Sequence, residues 1–113
     1  MDLKLERKFR IIKDGERVFG EGPCMLLEKV DELGSLNKAA KELNMSYSKA
    51  WSIIHKAERE LNLKLLETQI GGEEGGGSYL TDEAKRFIIT YRNFCKEADE
   101  VLKELFKRYF KDI

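Results

Sequence analysis

The sequence predicts a mostly α-helical domain with small β elements, and three observations lead to that prediction. Residues 22–61 carry apolar side chains at helical spacing, broken by short sets of turn residues. Strand-like residues stand on both sides of a glycine-rich run at 71–77, and residues 81–111 form one long amphipathic stretch. At 113 residues, with 42% hydrophobic and 37% charged residues, the chain is expected to fold as a single domain, 1–113.

The first twenty residues predict a β-hairpin. Apolar and charged residues alternate over 3–13, which is the pattern of a half-buried strand. The Asp14-Gly15 dipeptide favours a two-residue turn, because both central positions of such a turn need positive φ. A short second strand over 16–20 would then return beside the first, with Ile11 opposite Val18.

A first helix is expected to open at Gly22-Pro23, since proline suits the first turn of a helix, and to end at Gly34. Four of the fourteen residues over 21–34 are acidic and only one is basic, whereas residues 35–64 carry six lysines and arginines against three glutamates. The formal net charge of the chain is zero, but positive charge is concentrated in the segment that follows this first helix. The apolar residues of the first helix are Met25, Leu26, Leu27, Val30 and Leu33.

Two further helices joined by a tight turn are expected next. Ser35 can cap the second helix, and Asn44 can adopt the left-handed conformation that ends it. Ser46 can cap the third helix, which is expected from about Tyr47 to Leu61. Helix, tight turn and helix within 26 residues form the pattern of a helix-turn-helix. The apolar stripe of the second helix comprises Leu36, Ala39, Ala40 and Leu43.

The third helix separates an apolar side from a polar side. Ala50, Ile54 and Ala57 share the apolar side with Leu61. The polar side holds hydroxyls, an imidazole and cations, and no carboxylate is expected there because Glu58 and Glu60 fall on its flanks. Such a face predicts contact with DNA, the cations meeting phosphates and the shorter side chains meeting base edges. The residues predicted for this contact are Ser48, Lys49, Ser52, His55, Lys56 and Arg59, with Lys38 from the second helix.

A wing is predicted after the third helix. Residues 65–70 resemble a strand, five of the seven residues at 71–77 are glycine, and 78–80 can return as a second strand. A phosphate-cradling loop is the first alternative, but no Gly-Lys-Ser/Thr follows and no long parallel strand precedes. A flexible linker is the second, and the strand-like flanks argue against it. The predicted wing residues are Gly71, Gly72, Gly75, Gly76, Gly77 and Ser78.

The last helix is expected to begin after a Thr81 cap and to reach about residue 111. Its apolar residues recur every seven positions in three adjacent rows, a stripe wider than one small domain can cover over that length. Part of the stripe is therefore expected to pack on the same chain and part on a second copy, giving a homodimer with 81–113 as its dimerisation helix. The residues predicted for the dimer interface are Tyr91, Phe94, Val101, Leu102, Leu105, Phe106 and Tyr109.

Several classes of function are not expected. Cys24 and Cys95 stand in no CxxC or Cys/His cluster, so the sequence predicts two small buried hydrophobes, with neither a metal site nor a cofactor. One histidine and scattered glutamates offer no nucleophile–base pair, so no enzymatic activity is predicted. No apolar run approaches the roughly 18 residues of a membrane span, and the N-terminus lacks the apolar stretch of a signal peptide, so a cytoplasmic protein with no membrane partner is expected.

The run GSLNKAAKELNMSYSKAW at 34–51, with the glycine loop and Leu80-Thr81, resembles the N-terminal DNA-binding domain of ModE-type molybdate-responsive regulators. It is more distantly similar to the LysR-type winged helix. The resemblance covers about 20–95, making 22–80 a winged helix-turn-helix, and is most specific in Ser46-Tyr47, Ala50-Trp51 and the glycine run. It implies a third helix in the major groove and adds Ser46 and Tyr47 to the DNA-binding set. It also implies that Ala50 and Trp51, both partly in the core by their angular position, set the helix and do not contact bases.

The resemblance implies a wing at the DNA backbone or minor groove and a dimer formed by helices outside the helix-turn-helix. This chain departs from the family in carrying Glu73-Glu74 in the wing and in ending at Ile113, before any molybdate-binding domain. The sequence therefore predicts a homodimeric regulator that binds specific double-stranded DNA and does not itself sense molybdate. Two alternatives are a protein-interaction module on the same scaffold, favoured by the zero net charge, and the DNA-binding subunit of a split regulator with a separate effector-sensing partner.

Overall fold

The computed structural model describes residues 2–69 and 77–112 and contains, within them, four helices and two antiparallel strand pairs. This confirms the predicted mostly α fold with small β elements. Gly71, Gly72, Gly75 and Gly76 of the predicted wing lie outside the described residues. In chain order the elements are β1 (Ile11–Lys13), β2 (Glu16–Phe19), α1 (Glu21–Leu33), α2 (Leu36–Glu42), α3 (Tyr47–Leu61), β3 (Leu66–Gln69), β4 (Gly77–Leu80) and α4 (Asp82–Phe110).

The N-terminal hairpin forms, but the prediction of its first strand was wrong in length and register. Only Ile11–Lys13 is regular strand, and residues 3–10 are neither helix nor strand. A register irregularity between Ile11 and Ile12 sets Ile11 opposite Phe19 and not opposite Val18. The turn itself is as predicted, with Asp14 at φ 50° and Gly15 at φ 79°.

The segment before β1 lies along α4, which explains the misassigned strand. The Arg7 guanidinium pairs with the Asp99 carboxylate, and the Tyr91 hydroxyl donates to the Phe9 carbonyl oxygen at 2.7 Å. The Phe9 ring meets the edge of Phe94, with ring centroids 5.4 Å apart. An extended segment on a helix alternates polar and apolar residues as a strand does, so the sequence pattern alone does not separate the two.

Local signals placed the helix ends correctly. The hydroxyl groups of Ser35, Ser46 and Thr81 accept hydrogen bonds from backbone N–H groups three residues on, at 3.1, 3.1 and 3.0 Å. Gly34 ends α1 at φ 70°, and Asn44 lies at φ 57° in the turn between α2 and α3. These caps fix the helix-turn-helix between residues 35 and 61.

The core lies where α1, α2 and α3 meet the first half of α4 and the strand ends. The small side chains of Ala39 and Ala40 on α2 and Ala50 on α3 are buried, which lets these helices approach closely. Both cysteines are free and buried, as predicted, and burial raises the pKa of the Cys24 thiol to about 12. No helix among the described residues has the length and apolar character to cross a membrane.

Candidate nucleic-acid interface

The polar face of α3 is presented to solvent. The side chains of its N-terminal part are exposed, because Ala50, Ile54 and Ala57 point into the core from the opposite side. The Ser46 hydroxyl accepts from the Lys49 N–H and so holds the first turn of the helix. The exposed residues of this part are Ser46, Tyr47, Ser48, Lys49, Trp51 and Ser52, and Lys38 on α2 is exposed as well.

The prediction that Trp51 lies partly in the core was wrong. Its side chain is 48% exposed, and its ring stacks on the His55 imidazole with centroids 3.9 Å apart. Ala50 alone of this pair is buried. Tyr47, Trp51 and His55 follow one another at intervals of four residues, so they form an aromatic row along the exposed face. Such rings can make apolar contact with thymine methyl groups or deoxyribose.

A carboxylate of α3, Glu58, lies behind this face. Glu58 is 14% exposed, and its Oε1 stands 2.8 Å from His55 Nδ1. Its Oε2 accepts from the backbone N–H groups of Leu65 at 2.8 Å and Leu66 at 3.2 Å. Glu58 therefore fastens α3 to the start of β3 and contacts the His55 ring at Nδ1. Sequence reasoning missed it because both backbone donors lie beyond the end of the helix.

The predicted cations differ in their surroundings. Lys56 Nζ stands 3.5 Å from Glu16 Oε2, and Arg59 Nε stands 3.3 Å from Glu60 Oε1. Lys38 and Lys49 have no carboxylate within ion-pair distance over 2–69 and 77–112. Solvent-exposed ion pairs are worth about 0–1 kcal/mol, so the pairs at Lys56 and Arg59 can be exchanged for contacts with a polyanion at small cost.

The base of the predicted wing is a regular strand pair. Strands β3 and β4 pair from Leu66 with Leu80 to Gln69 with Gly77, and the Tyr79 hydroxyl donates to Gln69 Oε1 at 3.0 Å. The Ser78 N–H donates to the Gly34 carbonyl oxygen at 3.1 Å. A Cβ at Gly77 would stand 3.1 Å from that same oxygen, so glycine allows this close approach. The wing base is thereby tied to the turn between α1 and α2.

The predicted dimer residues divide into three groups. Tyr91 is 5% exposed, and burial raises the pKa of its hydroxyl to about 12, so its assignment to the interface was wrong. It packs on Phe19 of its own chain, with ring centroids 5.2 Å apart, because the hairpin covers the first half of α4. Leu102 and Phe106 are half-buried. The exposed residues are Phe94, Val101, Leu105 and Tyr109.

The model of the family "Bacterial regulatory helix-turn-helix protein, lysR family" matches residues 24–85. Over 83 residues the chain is 36% identical to the molybdenum transport protein ModE of Azotobacter vinelandii, which covers 74% of this chain and 31% of that protein. Over 91 residues it is 32% identical to the DNA-binding transcriptional dual regulator ModE of Escherichia coli K12, covering 80% of this chain and 32% of that protein. The chain thus spans about a third of the length of these curated relatives.

Solved structures show the same fold. The complex of the CbnR DBD with DNA matches with a TM-score of 0.58 at 22% identity, over 78% of this chain and 95% of that one. The complex of the BenM DBD with catB site 1 DNA matches with a TM-score of 0.54 at 21% identity, over 79% and 93%. At these identities the matches establish the winged-helix fold predicted for the chain.

Proposed function

The chain belongs to the lysR family of bacterial regulatory helix-turn-helix proteins, and from this membership we propose that it binds specific double-stranded DNA sequences as a homodimeric transcriptional regulator. The observation that carries the proposal is the exposed face of α3. Ser48 and Ser52 offer hydroxyl groups at its surface, and the rings of Tyr47 and Trp51 stand beside them. A major groove admits one α-helix and presents donors, acceptors and thymine methyl groups to such side chains.

The cations around this face supply affinity in the proposal. Lys49 lies near the N-terminal end of α3, Lys56 and Arg59 lie toward its C-terminal end, and Lys38 is exposed on α2. Contacts between such cations and DNA phosphates position a protein on the duplex but do not distinguish one base from another. The wing residues Gly77 and Ser78 belong to a strand pair anchored on Gly34, and the proposed role of residues 71–76 is to meet the DNA backbone or minor groove.

A second copy would cover the exposed row of α4. Phe94, Val101, Leu105 and Tyr109 lie on one side of that helix and are exposed in the single chain, from 40% for Leu105 to 71% for Tyr109. Each such side chain gains roughly 1.5–3 kcal/mol when it is fully buried. A twofold partner would bury them and set two α3 helices about 34 Å apart, or a multiple of that distance, over a palindromic site.

The test is the salt dependence of binding to duplex DNA in which the preferred site has been selected from random sequences. Each neutralised phosphate contributes about −0.9 to the slope of log affinity against log salt, so a few contacts per subunit predict a slope of several units. A duplex with a scrambled site is the control for specificity. Equal affinity for both duplexes, or a slope near zero, contradicts the proposal.

The second candidate is an interaction module or the DNA-binding subunit of a split, molybdenum-related regulator, with a separate effector-sensing protein as partner. The zero formal net charge favours the interaction module, because a polyanion-binding domain is usually basic. In either case we propose a cytoplasmic protein. Absence of DNA binding by a folded dimer would favour the interaction module, and DNA binding that changes only when a partner protein is added would favour the split regulator.

A further inference from the structure

Arg92, near the middle of α4, holds two carboxylates of α1 with one guanidinium group. Its Nη1 donates to Glu21 Oε1 at 3.0 Å and Oε2 at 2.7 Å. Its Nε donates to Glu28 Oε2 at 3.2 Å, and its Nη2 donates to Glu28 Oε1 at 2.6 Å. The hydrogen bonds to Glu28 and Glu21 raise the pKa of Arg92, so the group is a permanent cation. We call this arrangement of Arg92, Glu21 and Glu28 the α1–α4 clamp.

The clamp fixes the orientation of the Arg92 side chain as well as its position. A guanidinium group is planar and its donors form a fixed fork, so two carboxylates bound to it define its plane as well as its position. Glu21 and Glu28 are seven residues apart on α1, about 10.5 Å along the axis at 1.5 Å per residue. Apolar contacts lie nearby as well: Phe19 of β2 meets Phe87 and Tyr91 of α4 with ring centroids at 4.7 and 5.2 Å, and α1 and α4 both contribute buried residues to the core. Close packing in that core also resists displacement of α4, and the clamp adds hydrogen bonds that fix the guanidinium plane relative to α1.

The two helices joined by the clamp serve different parts of the proposed function. Helix α1 packs in one core with α2, α3 and the first half of α4, whose last residue in that core is Cys95, so α1 is part of the DNA-binding body. The exposed row of α4 begins at Phe94, two residues after Arg92. The clamp therefore lies at the junction between the DNA-binding body and the proposed dimer helix. A rotation of α4 at this point changes the distance between the two α3 helices of a dimer.

We propose that Arg92 is a positioning residue that sets the half-site spacing accepted by the dimer, by fixing α4 to α1 through Glu21 and Glu28. The inference rests on the proposed function, since it needs a dimer that binds DNA. Adjacent base pairs are about 3.4 Å apart along one strand, so a dimer that selects one spacing must hold its two α3 helices to within about that distance. Four hydrogen bonds from one rigid group supply such precision.

The test measures binding of the full chain to duplexes whose two half-sites are separated by spacers that grow one base pair at a time. Engagement of a second half-site strengthens binding by about 100-fold or more, and this gain is lost where geometry forbids it. We expect wild type to prefer one spacing by about that factor, and Arg92→Lys to reduce the preference to within about ten-fold. Affinity for a duplex with a single half-site and the dimer population in sedimentation should stay unchanged. Arg7→Lys is the matched control, because Arg7 pairs with Asp99 on α4 and touches no carboxylate of α1.

A second variant and a second measurement test the proposal independently, in case Arg92→Lys does not fold. The double variant Glu21→Gln and Glu28→Gln leaves Arg92 in place and should broaden the spacing profile in the same way. Without DNA, spin labels at Lys41→Cys, an exposed site on α2, should give a narrow distance distribution in the wild-type dimer and a broad one in the clamp variants. Cys24 and Cys95 are buried and so are shielded from the label.

The outcomes separate the two proposals. A wild-type chain that is monomeric or fails to bind DNA overturns the proposed function and this inference with it. A wild-type dimer that binds paired half-sites, together with an Arg92→Lys variant that keeps the same sharp spacing preference and the same narrow label distances, overturns the inference alone.

Discussion

Helices α3 and α4 both carry an apolar stripe, but in α4 only the first half of the stripe is covered by its own chain. Ala50, Ile54 and Ala57 of α3 are completely buried, and the side exposed to solvent is polar apart from an aromatic row. Along α4 the burial ends at Cys95, and beyond it Val101 is 64% and Tyr109 71% exposed. This difference supports the two parts of the proposed function: α3 presents groups suited to a polar, charged groove, and the second half of α4 presents groups suited to another protein surface.

The largest expected effect comes from making the α4 row polar. The double variant Val101→Asp and Leu105→Asp should abolish the dimer, because each aspartate would place a charge inside an apolar interface. Affinity for a paired half-site duplex should fall by about 100-fold or more, since the two half-sites are then bound independently. Sedimentation and titration of single and paired half-sites measure both effects. Lys107→Ala is the control, because it also lowers the net charge and lies on the other side of α4; a double variant that stays dimeric would contradict the assignment of this row.

The buried side of α3 and the positions of the helix caps and turns were predictable from the sequence. Helix caps at Ser35, Ser46 and Thr81 and the left-handed residue at Asn44 depend on side chains within a few positions, so their signals are local. The helical period also placed Ala50 and Ile54 correctly in the core, because the apolar side of α3 had to pack against the rest of the helix-turn-helix. The resemblance of 34–51 to ModE-type domains pointed to the same fold as the periodicity.

What the sequence did not provide were contacts between distant segments. Tyr91 and Tyr109 occupy similar positions in the apolar stripe of α4, but Tyr91 is covered by the hairpin and Tyr109 is not. Helical periodicity predicts which side of the helix a residue lies on, but it does not predict how far along the helix other segments of the chain cover that side. The Trp51 ring likewise sits at the margin of the α3 stripe, and the core ends before reaching it. Glu58 was placed on a flank correctly by angle, but its donors come from β3.

The second prediction concerns the link between α3 and the wing base. Glu58→Ala leaves the N–H groups of Leu65 and Leu66 without their acceptor, and loss of such a partner for a partly buried donor costs about 1–3 kcal/mol of unfolding free energy. Glu58→Gln keeps an amide oxygen and should cost less. Urea unfolding measures both, with Glu60→Ala as the control because its contacts with Arg59 and Lys13 are surface ion pairs worth about 0–1 kcal/mol. Equal losses for Glu58→Ala and Glu60→Ala would show that Glu58 does not fasten β3.

The smallest expected effects distinguish affinity from selectivity within the α3 face. Lys49→Ala should weaken binding to selected and scrambled duplexes alike and reduce the salt slope by about 1, because an ammonium group near a phosphate acts without regard to sequence. Ser52→Ala should leave the slope unchanged and lower discrimination at one base pair by at most roughly 1–3 kcal/mol, because a hydroxyl in the groove contacts a base edge. Both side chains are exposed and neither makes an intramolecular side-chain hydrogen bond within the described residues, so the unfolding free energy should stay within about 0.5 kcal/mol of wild type. Anisotropy titrations over a salt series, with single-base substitutions of the selected site, separate the two behaviours. If Ser52→Ala flattened the slope as Lys49→Ala does, or if neither variant altered binding, α3 would not lie in the groove as proposed.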